Sequence, residues 1–251
     1  MESSDLTVVL VPCVMTAIVV EMIWSHVRGK GVYNAKETGA NLAIFLGGQL
    51  IKPASLAWQI LVLGLVSSLS PWQWDHSPAT YLFTFLATDL AYYWAHRVQH
   101  EVKALWTVHL VHHSSPWMNL TTAFRINWLS PFIGIFFYLP VAALGVPPQA
   151  IGVALTINLA YQFFTHTEAI GTLPLVEGIL NTPSAHRVHH GSNAQYIDKN
   201  YAGVLIIWDR LFGTYEPEVE PVRYGITTGF QGHNPFRLVF HGFVDLVTGK
   251  L

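Results

Sequence analysis

Histidine is the residue this sequence concentrates: there are thirteen in 251 residues, and eight fall in three short clusters. The first is His96-Arg97-Val98-Gln99-His100. The second, His109-Leu110-Val111-His112-His113, and the third, His186-Arg187-Val188-His189-His190, repeat one HxxHH pattern. On a helix, positions i, i+3 and i+4 are neighbours, so each cluster gathers two or three imidazoles on one side. At this histidine content about 0.03 copies of HxxHH are expected by chance, and two are present. A lone histidine near an interface is more often hydrogen-bonded than a ligand, but eight at these spacings point to metal binding.

Ligand type narrows the metal site. Cys13 is the sole cysteine and lies in an apolar stretch, which excludes an intramolecular disulfide and a thiolate site. A closed structural zinc site is complete with four ligands, whereas eight imidazoles can serve two ions and leave coordination positions open, so a dinuclear centre is the economical reading. Imidazole suits iron, copper, nickel and zinc alike, and ligand chemistry alone leaves that choice open.

Asn158, Gln162 and His166 follow at i+4 steps through an apolar segment. His166 is a candidate ninth ligand, while Gln162 reads as helix-to-helix hydrogen bonding rather than a water-mediated ligand. Asp89 lies on nearly the same helical face as His96, in a segment where an ionisable group is costly and usually functional. It is expected to orient a ligand's second ring nitrogen, the alternative being a buried pair with Arg97 or Arg187. Pro183-Ser184 before the third cluster and Gly191 after it predict a short capped helix. Tyr92, Tyr93, Trp94 and Trp106 flank the motifs as interface anchors or as walls of a substrate site.

The elements that carry these residues read as membrane helices. The chain is 51% hydrophobic and only 11% charged, against about 25% charged residues in an ordinary soluble domain. A net charge of -2 with no dense run of Lys or Arg excludes nucleic acid as a partner. Apolar runs at about 7–25, 41–69, 79–95, 131–145 and 149–165 predict an all-α integral membrane protein with four to five membrane segments. The last two are short and joined by Gly145-Val146-Pro147-Pro148, which predicts a shallow hairpin. Lys52-Pro53 predicts a broken or re-entrant second segment. Acidic Glu2 and Asp5, without a basic n-region or a small-residue cleavage pattern, make the first run a retained span rather than a signal peptide.

Basic residues set the sidedness. Arg28, Lys30 and Lys36 follow the first run, Arg97, Lys103 and Arg125 follow the third, and six more follow the hairpin, so those segments are expected to be cytoplasmic. The loop from Ser70 to Pro78 has no Lys or Arg and carries Trp72 and Trp74, which suits the opposite interface. The expectation is a single domain over 1–251, N-outside and C-inside, whose cytoplasmic histidine-rich helical cap holds the dinuclear site. Its catalytic core covers about 82–217.

With these motifs the sequence resembles the fatty acid hydroxylase and sterol desaturase superfamily, whose members carry HxxxH or HxxxxH and then two HxxHH motifs around a di-iron centre. The runs DLAYYWAHRVQHE, HLVHHSS, NLTTAFR, YQFFTHTE, NTPSAHRVHHG and IDKNYAGVLIIWDRLFGTYEPE look most like the glyceryl-ether monooxygenase branch, over about residues 89–217. The resemblance implies two iron ions held by the eight clustered histidines and an O2-dependent hydroxylation of a lipid C–H bond next to an ether oxygen. It also implies an external reductant, either a reduced pterin such as tetrahydrobiopterin or a separate electron-transfer protein. Glu101, the acidic residue after the first motif, is by resemblance associated with the pterin; on its own chemistry it is a solvated interfacial carboxylate. No His-Pro-Gly-Gly run or Rossmann glycine fingerprint supplies a built-in electron donor.

Within the same superfamily, sterol or fatty-acyl desaturation or hydroxylation is the alternative. A zinc protease needs HExxH, and His100-Glu101 is followed by Val102, Lys103 and Ala104, so its second histidine is missing. A metal transporter places its ligands near the bilayer midplane, whereas these clusters fall at the ends of apolar runs. A bacterial inner membrane is the expected location, or the endoplasmic reticulum in a eukaryote.

Overall fold

The computed structural model describes residues 3–251, and Glu2, one of the acidic residues on which the expectation of a retained first span rests, lies outside them. The described residues form helices and irregular segments, with no named strand. Two long helices come first, α1 (Ser3–Val27) and α2 (Ala35–Ser68). Each is long and apolar enough to cross a bilayer, with mean hydropathy 1.7 over Leu10–Val27 and 1.6 for α2. Only 17% of each window is buried, which separates them from the core helices of a soluble protein. Their exposed faces carry Met15, Val19 and Ile23 on α1, and Leu46, Leu50, Ile60 and Leu65 on α2.

Asn34 caps α2, its side chain accepting from the backbone N–H groups of Lys36 and Glu37 at 3.0 and 3.1 Å. At 34 residues α2 is about 51 Å long, well beyond a hydrocarbon core of about 30 Å. It continues unbroken through Pro53, contrary to the interruption expected at Lys52-Pro53. Loss of one backbone donor is tolerated because the turns on either side are intact, and Ser55 Oγ donates to the Lys52 carbonyl at 3.0 Å.

Helix α3 (Pro78–Glu101) starts at Ser77 with proline in its first turn and buries a polar stripe of Thr80, Thr84 and Thr88 beside Asp89. After one extended residue, Val102, it gives way to α4 (Lys103–His113). The stretch expected as a fourth membrane segment is not one helix: it comprises α5 (Ser130–Gly134), a 3-10 turn (Ile135–Tyr138) and α6 (Leu139–Ala143). With α7 (Pro148–Phe163), about 24 Å long, it makes a short hairpin. Gly145 closes it at φ +80°, where a Cβ would collide with the Trp72 carbonyl, so glycine is required there. The hairpin core of Ile135, Val141, Ala142, Val146 and Ile151 packs on Leu63 of α2.

The remaining helices are α8 (Pro183–His189), α9 (Ile207–Phe212) and α10 (Pro235–Val247). The N-cap of α8 is Thr182, one residue before the expected Pro183-Ser184, because its hydroxyl reaches the Ala185 N–H at 3.2 Å. Gly191 ends the helix as expected, its N–H reaching the Val188 carbonyl at 2.9 Å.

A buried ion pair locks α2 to the end of α4. Arg125 is fully buried; it donates to Glu37 Oε1 at 2.5 Å, Asn41 Oδ1 at 3.1 Å, Ser114 Oγ at 2.8 Å and the Val111 carbonyl at 2.8 Å. The second Glu37 oxygen faces His233 Nδ1 at 2.9 Å. Arg125→Ala strands a buried carboxylate and is expected to cost about 3–5 kcal/mol. Thermal unfolding in detergent should show a lower midpoint, and an unchanged midpoint contradicts this role of the pair.

Candidate metal centre

Four segments deliver nine imidazoles to one buried volume, and the helical spacing sorts them into two groups. His96, His100, His109, His113 and His189 form one; His112, His166, His186 and His190 form the other. Within each, the candidate ligand atoms lie within 4.8 Å of one another. Each HxxHH helix serves both groups. In α4 the i and i+4 residues, His109 and His113, point to the first group and the i+3 residue, His112, to the second. In α8 the roles are exchanged: His186 and His190 join the second group and His189 the first. Positions i+3 and i+4 stand about 100° apart around a helix, so the motif can present ligands to two ions side by side. His166, just after α7, completes the second group.

The nitrogens are spaced as ligands of common ions. His109 Nε2 lies 2.9 Å from His96 Nε2 and 3.0 Å from His113 Nε2. His166 Nε2 lies 3.1 Å from His112 Nε2 and 2.9 Å from His186 Nε2, which is 3.2 Å from His190 Nε2. A metal–imidazole bond of about 2.1 Å gives an edge of roughly 3.0 Å between ligands at right angles and about 3.4 Å in a tetrahedron. The nearest pairs, at 2.9 to 3.2 Å, lie close to the edges such bonds produce.

Second ring nitrogens fix the tautomers. His96 Nδ1 faces the Tyr201 carbonyl at 2.7 Å, His166 Nδ1 the Gln162 carbonyl at 2.7 Å and His189 Nδ1 the Lys199 carbonyl at 3.0 Å. A carbonyl only accepts, so Nδ1 carries the proton and the Nε2 lone pair points inward. His100 Nε2 and His189 Nε2 are buried with no hydrogen-bond partner, an arrangement a bound cation satisfies. Burial, reinforced by neighbouring imidazoles, holds His109, His112, His113, His186 and His190 well below the ordinary 6.5 and therefore neutral, the form that binds metal. The donor set thus fits two nitrogen-loving ions.

Asp89 is placed differently from the expectation. Its carboxylate accepts from the backbone N–H groups of Val204 and Leu205 at 3.0 and 3.1 Å, Trp208 Nε1 at 2.9 Å and Asn158 Nδ2 at 2.6 Å. These donors occupy both oxygens, so it touches no histidine nitrogen and pairs with neither arginine. Instead it pins to α3 the loop whose Tyr201 carbonyl orients His96. Arg97 pairs with Glu101 at 2.8 Å and Arg187 with Glu218 at 2.6 Å. Gln162 joins α7 to α3 by accepting from the Tyr92 hydroxyl at 2.7 Å, and within α7 it donates to Asn158 Oδ1.

Other positioning groups have no metal-ligand spacing to betray them. Asp209 accepts from the N–H groups of Tyr201 and Ala202 at 2.7 and 2.8 Å, holding the same loop from below. Asp209 inside the apolar run of IDKNYAGVLIIWDRLF was the available signal, since a buried carboxylate needs partners.

A cavity of about 210 Å³ opens onto His100, His113, His189 and His190. Trp106, Ile197 and Ile226 wall it, and Ser192, Asp198 and Thr227 supply its polar edge. Trp106 is therefore a wall as well as a flanking aromatic. Tyr93 is buried against Tyr201 and Phe212, whereas Trp94 is exposed with Arg97 over its ring. Glu101 is half-exposed beside Arg97 and does not line the cavity.

The family model described as fatty acid hydroxylase matches residues 81–214. Alkylglycerol monooxygenase from Homo sapiens is 50% identical over 175 residues, covering 70% of this chain and 39% of that protein. The Danio rerio protein of the same name is 53% identical over 154 residues, 61% of this chain and 34% of its own length. Ornithine lipid hydroxylase OlsE from Rhizobium tropici is 30% identical over 163 residues, 62% of this chain and 48% of that protein. The matched region thus spans between a third and a half of these relatives. No solved structure matches.

A pH dependence follows for the metal-free chain. Unfolded histidines take up protons below about 6.5, whereas the buried ones resist protonation to well below it. The unfolded state then binds more protons, so stability is full above this range and is lost as pH falls through it. Thermal unfolding of metal-free protein from pH 8 to 5 should show a falling midpoint; a flat profile contradicts neutral, buried imidazoles.

Proposed function

This chain belongs to the fatty acid hydroxylase family, and on that premise we propose that it is a membrane oxygenase whose nine histidines hold two iron ions and whose substrate is an ether lipid. The observation that carries the reading is the division of the imidazoles into two convergent groups. Identity near 50% to alkylglycerol monooxygenases supports the ether-lipid class over sterol or acyl desaturation. Family membership and ligands at the ends of helices speak against a transporter.

Two bound iron ions would supply the activation of O2 and the oxidation of an unactivated C–H bond. The chain's own residues do the rest. His96, His100, His109, His113 and His189 would hold one ion, and His112, His166, His186 and His190 the other. The carbonyls of Tyr201, Gln162 and Lys199 keep three of the rings aimed inward. Trp106, Ile197 and Ile226 exclude water from one side of the cavity, while its open side admits a reactant. Hydroxylation of the carbon next to an ether oxygen gives a hemiacetal, which collapses to an aldehyde and an alcohol and so cleaves the lipid.

In this reading α1, α2 and α3 cross the bilayer, α3 packs along α7, and the hairpin of α5, α6 and α7 reaches the Trp72 loop at the far end of α2, deeper than its short segments suggest. The cap that bears the metal centre faces the cytoplasm, a sidedness supported by Arg28, Lys30, Lys36, Lys103 and Arg125 on its side of the helices. Electrons come from an external donor, with a reduced pterin the proposed class, and Glu101 at the end of α3 is the proposed pterin-associated residue.

Two substitutions test the reading with purified protein, an alkylglycerol in vesicles and a reduced pterin. His112→Ala should abolish aldehyde formation, and retained full activity would remove the di-iron reading. Glu101→Gln should raise the KM for the pterin while iron content stays unchanged; an unaltered KM contradicts the role of Glu101.

A further inference from the structure

Helix α10 has two apolar faces. One, with Leu238, Val239 and Gly242, is buried against α2 and α4; Leu238 and Val239 join Ala40, Ile44 and Val111 in one core. Contact with α4 is close enough that a Cβ on Gly242 would meet Leu110 Cδ2 at 2.4 Å and the Thr107 carbonyl at 2.8 Å. The other face carries Phe236, Phe240, Val244 and Val247, one stripe at helical spacing, exposed by 64, 41, 57 and 87%. Between them runs an arc of Arg237, His241 and Asp245 at i+4 steps.

Four large apolar side chains at this exposure on one stripe need a cover. The fold indicates which. Trp128 meets Phe236 and Phe240 edge-on at 5.5 and 5.9 Å, and its Nε1–H reaches the Ile44 carbonyl of α2 at 2.9 Å. Through this tryptophan the stripe adjoins α2 at Gly47, where a Cβ would collide with the Trp128 ring, and exposed Leu50 follows three residues on. Because α2 is about 51 Å long, its first turns extend beyond the hydrocarbon core on the metal-bearing side. α10 packs across α2 at Ala40 and Ile44, within the first three turns of that helix, which on the membrane reading is the level of the headgroup boundary.

We propose that α10 is an interfacial membrane helix that seats Phe236, Phe240, Val244 and Val247 in the boundary between headgroups and acyl chains, with Arg237 and Lys250 at the headgroups. This rests on the reading of α1 and α2 as membrane-embedded. Its inner face lies on α4, which carries His109, His112 and His113, so α10 fixes the depth of the metal centre relative to the lipid.

Depth-resolved quenching tests it in proteoliposomes containing anionic lipid. Single cysteines are introduced in a Cys13→Ser background as Val244→Cys, Val247→Cys, Arg237→Cys and Ile60→Cys, and each is labelled with bimane. Quenching at 244 and 247 should be several-fold stronger from spin-labelled lipid than from aqueous iodide, with position 237 open to iodide. Iodide quenching at 244 and 247 equal to that at 237 overturns the proposal while lipid quenching at 60 leaves the membrane reading standing. Protection from both quenchers would mean a protein cover, such as a second copy, and also overturns it. Iodide quenching at position 60 overturns both the proposal and the membrane reading.

Discussion

Nine imidazoles share one small buried volume, and the rings held by a carbonyl at Nδ1 turn a bare Nε2 lone pair into it, an arrangement that a cation among them satisfies. Nε2 atoms near 3 Å apart repel when both are bare, and the carbonyls that hold His96, His166 and His189 by Nδ1 prevent those rings from answering with a proton. Much of the fold resists that repulsion. α3 and α4 meet at one extended residue so that His96 and His100 face His109 and His113. Thr182 starts α8 and Gly191 stops it, confining three further ligands to a short rigid helix.

The polar groups that brace this centre are themselves buried and fully engaged. Asp89 and Asp209 grip the loop around Tyr201 and Ala202 from two sides. Arg125 spends its hydrogen bonds on Glu37, Asn41, Ser114 and the Val111 carbonyl, which fixes the end of α4. Glu21 accepts from Tyr33, the Leu120 N–H and Thr167, tying α1 to the segment after His166. In an apolar surround each such group is costly unless paired, so the networks define one arrangement of helices.

The candidate ligands were readable because metal binding calls for histidines at fixed helical offsets. His166 was visible only as the end of a polar stripe. The division of each HxxHH between two groups of imidazoles was hidden, since spacing shows that i, i+3 and i+4 are neighbours but not which way their partners lie. Asp89 stands out in an apolar helix, but its partners are not legible locally: its backbone donors come from residues 204 and 205, more than a hundred positions away. Local rules misread Lys52-Pro53, where a long helix absorbs one missing donor. Hydropathy did not show that the run at 131–145 is broken into α5, a 3-10 turn and α6 rather than one helix.

Iron-57 Mössbauer spectroscopy with elemental analysis, on protein loaded anaerobically with ferrous iron, tests the central claim most directly. The account predicts two irons per chain, both in nitrogen-rich sites, as the two groups of convergent imidazoles imply. One iron per chain, or zinc retained in preference to iron, would contradict it.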